Sequence, residues 1–184
     1  ACYAVVSFQT AYLKTYYPVE FMAALMTSVI DNTSKVAGYI YACKQMNIGI
    51  LPPDVNESQM EFTVENGKIR FAMAAIKSLG RPTIQAILKE RGENGSFVSM
   101  QDFVTRMSHA LNKRAIENFV KAGAFDTFGH TRKSMMIVSE SMLDSAIKHN
   151  KDSMSGQMSL FDFAAEEDKK AFEIRIPDVA EYTK

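Results

Sequence analysis

Along the first forty-odd positions of the chain, apolar residues recur at the three- and four-residue spacing of a helix face. Val5, Phe8, Tyr12 and Tyr16 share one side, with Val6, Leu13 and Tyr17 beside them, and no capping residue precedes the pattern. A chain that opens in mid-helix reads as excised from a larger protein. Pro18 suits the first turn of a second helix, whose apolar side is Phe21, Met22, Leu25 and Met26. Asn32 to Ser34 offer the N-cap of a third, carrying Val36, Tyr39, Ile40 and Cys43. Such aromatic and methionine stripes read as core rather than as a cofactor box. Leu51 to Asn56 is a proline-bearing connector, and at Phe62 the period changes. Phe62, Val64, Ile69 and Phe71 alternate about Asn66-Gly67, a pair suited to two positive φ angles, so residues 61–72 predict a β-hairpin and the only sheet.

Beyond Ile76 the helical period returns, broken at two corners. In the first, an apolar helix end runs into Leu79-Gly80-Arg81-Pro82 and a second helix begins at once. Gly80 is expected to take the left-handed backbone that closes the first helix, Pro82 suits the next first turn, and Thr83 to Leu88 carry its apolar stripe. N–H groups at a helix start beside Arg81 make a seat for a phosphate. The layout resembles the helix-hairpin-helix motif, a grip on the DNA backbone that ignores sequence, with Ser78 where the hairpin usually has its first glycine. The second corner, Thr127-Phe128-Gly129-His130-Thr131-Arg132-Lys133, repeats the order apolar residue, glycine, basic or polar residues, helix, with Thr127 at the first-glycine position. Two such hairpins can pack as one unit that holds both strands across a minor groove. The candidate DNA contacts are Ser78, Leu79, Gly80, Arg81, Thr127, Gly129, His130, Arg132 and Lys133; ordinary helical corners are the alternative.

Between the corners, Gly92 to Gly95 make a turn, Ser99 with Asp102 forms a capping-box pattern, and Asn112 caps a helix that Gly123 stops. His130 or Thr131 starts a long helix through Met135, Val138, Met142 and Ile147. The formal net charge of zero argues against nucleic acid, but its distribution does not. Residues 76–133 hold ten Lys and Arg against five acids, and residues 152–184 hold four against eight. Cys2 and Cys43 are too few for a disulfide scaffold or zinc site, and His109, His130 and His149 lack metal-ligand spacing. No membrane-spanning run or leader is read, and a reducing cytoplasm is expected.

Lys151 to Gly156 reads as a flexible linker. It is followed by Gln157-Met158-Ser159-Leu160-Phe161, in which a Gln amide can pair with backbone groups while Leu160 and Phe161 fill an apolar pocket. That stretch resembles the peptide by which replication proteins dock on the bacterial sliding clamp; the start of an amphipathic helix is the alternative. Glu166, Glu167 and Asp168 read as a solvated charged face.

Several blocks, in order, are similar to the α subunit of bacterial DNA polymerase III, the C-family replicase. They are Tyr3 to Lys14, Tyr17 to Leu25, Leu51 to Asn56, Ile69 to Phe71, Ala75 to Lys77, Asn112 to Arg114, Lys121 to Asp126, and Pro177-Asp178. Ala1-Cys2 departs locally, since the family more often has small residues after a histidine there. The resemblance implies a mainly α fold with one small β-hairpin. It divides the chain into the end of the fingers over residues 1–75, a tandem helix-hairpin-helix domain over 76–151, and a tail over 152–184. That tail would carry the clamp motif at 157–161 and lead toward an oligonucleotide-binding-fold domain. It further implies a DNA-directed DNA polymerase whose palm carboxylates, with their Mg, lie N-terminal to this segment, so that the segment alone is inactive. Its implied partners are primer-template duplex, the sliding clamp (β subunit) and other replicase subunits, with no membrane. Arg70 is a candidate phosphate contact or a solvated strand charge. Outside this family, a helix-hairpin-helix glycosylase or nuclease would need a catalytic Asp or Lys beside a hairpin, for which only Asp126 stands near. A helical interaction module without DNA contact is the other alternative.

Overall fold

Asn32, Ser99 and Asn112 each open a helix by accepting a backbone N–H three residues on, at 3.0, 3.1 and 2.8 Å. Each such bond satisfies one donor that a helix start leaves without an intrahelical partner. Thr131 does the same for the last helix, its Oγ1 accepting the Ser134 N–H at 3.2 Å. The structure, a computed structural model, describes residues 2–154 and 174–182. Helices run α1 (Cys2–Tyr16), α2 (Pro18–Ser28), α3 (Thr33–Gln45), α4 (Arg81–Asn94), α5 (Met100–Met107), α6 (Lys113–Ala122) and α7 (Arg132–Met154). Three short strands, β1 (Ile50–Leu51), β2 (Thr63–Glu65) and β3 (Lys68–Arg70), lie between α3 and α4. The mainly helical class expected from the sequence holds.

The chain divides into two units, residues 1–84 and 85–184, with the cut inside the first turn of α4. In the first unit, Met22, Ala23 and Met26 of α2, Val36 and Cys43 of α3, Phe62 just before β2, and Ile69 of β3 are buried together. Asn66 (φ 50°) and Gly67 (φ 73°) form the predicted turn, and β2 pairs antiparallel with β3, Val64 opposite Ile69. The sheet has one strand more than the sequence suggests. β1 pairs parallel with β3, Ile50 opposite Ile69, giving the order β1-β3-β2. Two residues are too short a run to show a period, so only the pairing reveals that strand. The connector is built on Asp54, whose Oδ1 accepts the N–H groups of Asn56 and Glu57, while the Ser58 hydroxyl donates to Phe71 O at 2.8 Å.

One sequence expectation fails in this unit. The helical period predicts a core stripe on α1, yet α1 has no buried residue, and Tyr3, Phe8 and Tyr16 are 90%, 70% and 65% exposed. Periodicity identifies which side of a helix is apolar; it says nothing about what covers that side.

The second unit is organised by phenylalanine rings. Phe103 lies edge-on to Phe97, Phe119 and Phe125 at centroid distances of 4.9, 5.5 and 5.1 Å. Ile116 and Phe119 of α6 and Met135 and Met142 of α7 are buried as predicted. Arg106 ties α5 to the end of α4. Its guanidinium donates to the Glu90 carboxylate at 2.8 Å, to Asp102 at 3.3 Å and to the carbonyls of Glu90 and Gly95, and it lies 4.4 Å from the Phe97 ring centre.

Candidate nucleic-acid interface

The first corner is anchored by two buried isoleucines, Ile76 before it and Ile84 after it. Its leading arm is a single 3-10 turn, Met73–Ala75, in place of the short apolar helix end that the sequence predicts. The left-handed residue is Ser78 (φ 63°), and Gly80 has a negative φ, contrary to expectation. Position 78 is where the hairpin motif usually has its first glycine, so the backbone keeps the conformation that a glycine would favour and imposes it on a serine. The first intrahelical bond of α4 runs from the Ile84 N–H to Gly80 O at 3.1 Å. Gly80, Arg81 and Ser78 are exposed at this helix start, while Leu79 is half-buried.

The second corner is built differently. Gly123 ends α6 in the left-handed conformation (φ 84°), a 3-10 turn over Asp126–Phe128 follows, and Gly129 (φ 79°) turns the chain toward α7. Here the left-handed residue is the glycine that corresponds in layout to Gly80, so the two corners share an order of residues but not a backbone path. Gly129, Thr127 and His130 are exposed. Arg132 turns back from the start of α7. Its Nε and Nη2 donate to the two oxygens of Asp126 at 3.0 and 2.6 Å, and Nη1 donates to Lys121 O at 3.1 Å. A side-chain atom on Gly123 would fall on that guanidinium. The Arg132 side chain therefore closes the loop between α6 and α7.

The start of α7 carries an anion from its own chain. The Glu181 carboxylate accepts the N–H of Arg132 at 2.8 Å and that of Lys133 at 3.3 Å, and the N–H of Tyr182 at 2.9 Å. The N–H groups of Tyr182 and Arg132 hold this carboxyl below the ordinary carboxylate range.

Comparison with known proteins follows the same outline. The helix-hairpin-helix motif family matches residues 47–135, a span that contains both α4 and the start of α7. DNA polymerase III subunit alpha of Mycobacterium tuberculosis is 38% identical over 97% of this chain. Those of Vibrio cholerae and Thermus aquaticus are each 43% identical over 88% of it. The chain belongs to the DNA polymerase III α-subunit family. It spans 15%, 14% and 13% of the length of these three relatives, matching one region of a larger protein.

Within this member of the α-subunit family, the sequence located both helix starts but not Glu181, which no local pattern connects to residues some fifty positions earlier. Arg70 is neither a free phosphate contact nor a solvated charge. Its side chain is 12% exposed, and its guanidinium pairs with Glu65 and donates to Pro52 O at 3.0 Å. Gln157, Met158, Ser159, Leu160 and Phe161 lie outside the described residues. Among the described residues, no helix is long and apolar enough to cross a membrane, and no group of three His, Cys, Asp or Glu is placed to hold a metal ion.

Proposed function

We propose that this segment grips duplex DNA through backbone phosphates at two helix starts and tethers its parent replicase to a sliding clamp. The observation that carries the first part is the presence of two glycine-bearing corners, each opening a helix beside basic residues, inside the span that matches the helix-hairpin-helix family. At the first corner, Gly80 leaves space over the exposed start of α4, where the positive end of the helix dipole faces an approaching anion and Arg81 adds charge. At the second, the Arg132 and Lys133 N–H groups form the seat, His130 and the Lys133 side chain flank it, and the Arg132 guanidinium keeps the corner in shape. Such contacts read no base edge, so the grip would slide. Tethering rests on Gln157 to Phe161 and their resemblance to clamp-docking peptides. Polymerisation, its Mg and the palm carboxylates would belong to the parent protein in the cytoplasm; the segment by itself would be inactive.

Fluorescence anisotropy with a short labelled duplex across a salt series tests the grip. Binding should be indifferent to sequence and should weaken as salt rises, with a log–log slope of about −0.9 for each phosphate engaged. Arg81→Glu should weaken it by about tenfold by placing an acid where a phosphate would sit. Arg132→Glu is a poor test, because it also sets two acids against each other beside Asp126. If Arg81→Glu and the unaltered chain behave alike, the first corner is purely structural.

A further inference from the structure

We infer that residues 179–182 are an intramolecular latch, in which Glu181 occupies the phosphate seat of the second hairpin and competes with DNA for it. The inference rests on reading that helix start as a phosphate site. Three independent sets of contacts hold the latch. Val179 is pinned through its backbone: its N–H donates to Ser134 Oγ at 3.1 Å, and its carbonyl accepts the hydroxyls of Thr131 at 2.7 Å and Ser134 at 3.3 Å. Glu181 then places one oxygen on the Arg132 N–H and the other on the Lys133 N–H. Finally, the Lys133 ammonium lies 5.7 Å from the centre of the Tyr182 ring.

The last two of these sets engage groups that the phosphate reading needs, while the Val179 bonds hold the segment in place. The two N–H donors are those expected to face a phosphate oxygen, and Lys133 is the cation that would flank it. A carboxylate with an oxygen on each of two successive N–H groups presents the charge and acceptor spacing of a phosphate edge. One seat cannot hold both anions, so duplex can engage the second hairpin only when Glu181 leaves. The apparent affinity of this corner is then scaled by the fraction of molecules in which the latch is open. Glu181 and its hydrogen bonds to Arg132 and Lys133 are exposed, whereas the Val179 bonds to Thr131 and Ser134 are part-buried, so the Glu181 side chain can leave α7 while Val179 stays anchored.

The test compares duplex affinity by fluorescence anisotropy, at one fixed salt concentration, for the 184-residue chain and for Glu181→Gln, Glu181→Ala and Asp178→Asn. Asp178 is an exposed acid on the same segment and controls for the change in net charge. Arg81→Glu is carried in parallel to report on the first corner alone. The expected result is that both Glu181 variants bind about threefold or more tighter, while Asp178→Asn stays near the unaltered chain. Equal tightening in Glu181→Gln and Asp178→Asn would reduce the effect to net charge and overturn the latch. Weaker or unchanged binding in both Glu181 variants overturns it as well, and makes Glu181 a structural cap of α7. If binding responds to Arg81→Glu and not to Glu181, the latch fails while the first corner's duplex grip stands. If no variant binds duplex at all, the grip fails and the latch with it.

Discussion

Two glycines at the ends of α4 and α6 separate function from folding. Gly123 has a positive φ of 84°, and a side chain there would collide with the Arg132 guanidinium and its Asp126 partner. Gly123→Ala should therefore cost about 2 kcal/mol, combining left-handed strain with a displaced ion pair, as read from urea unfolding midpoints. Gly80 has neither constraint: its φ is negative and an added Cβ would meet only Pro82 Cδ at an ordinary 3.6 Å. Gly80→Ala should leave stability within about 0.5 kcal/mol. On the proposed phosphate seat, it should still weaken duplex binding, because the added methyl stands over the start of α4. A Gly80→Ala protein that binds duplex as well as the unaltered chain would remove the first seat from the proposal. The motif's positions were legible at this scale, but the conformations were not. The sequence gives Gly80 the left-handed angle on propensity, whereas closure of the turn assigns it to Ser78.

At the scale of elements, the α4–α5 junction depends on one arginine. Arg106 is 18% exposed and links Glu90 and Asp102 while satisfying two carbonyls, so Arg106→Met should destabilise the second unit by about 2 kcal/mol at neutral pH. The junction also predicts acid sensitivity. Hydrogen bonds from Arg106 and then Asn94 lower the Glu90 carboxyl below its ordinary 4.5. A carboxylate with a depressed folded value contributes fully above its unfolded value and loses that contribution as pH falls through the folded one. The gap in stability between Arg106→Met and the unaltered chain should thus be widest near neutrality and shrink below about pH 4. A gap constant from neutral to acid pH would show that Arg106 acts through packing on Phe97 instead. Caps were the most legible elements, since Asn32, Ser99 and Asn112 act on N–H groups three residues away. β1 was illegible because it exists only through its pairing with β3, and the exposure of the α1 stripe was illegible because burial depends on what covers a face.

For the whole chain, zero net charge conceals a basic middle and an acidic tail. One acid of that tail, Glu181, lies on the helix start with the basic surplus around it. The same tail carries Gln157 to Phe161, and the proposed tether makes a prediction there. Replacing Leu160 and Phe161 together by Ala should abolish binding to a purified bacterial sliding clamp in surface plasmon resonance, while duplex affinity stays unchanged. Clamp binding that survives the double substitution would place the tether elsewhere.

The sequence by itself determined what depends on near neighbours: the helix starts at Pro18, Asn32, Ser99 and Asn112, the Asn66-Gly67 turn, the apolar faces of α6 and α7, and the family to which the collinear blocks belong. Only the tertiary structure decided what depends on distant partners. It gave β3 a parallel neighbour, carried the Arg70 guanidinium to Pro52 O and that of Arg132 to Lys121 O, left the α1 stripe exposed, and brought Glu181 to the first N–H groups of α7. The physical reason is range. Capping, turn geometry and helical period are set within a few residues, whereas the partner of a charge or an apolar face is whichever group the folded chain carries to it.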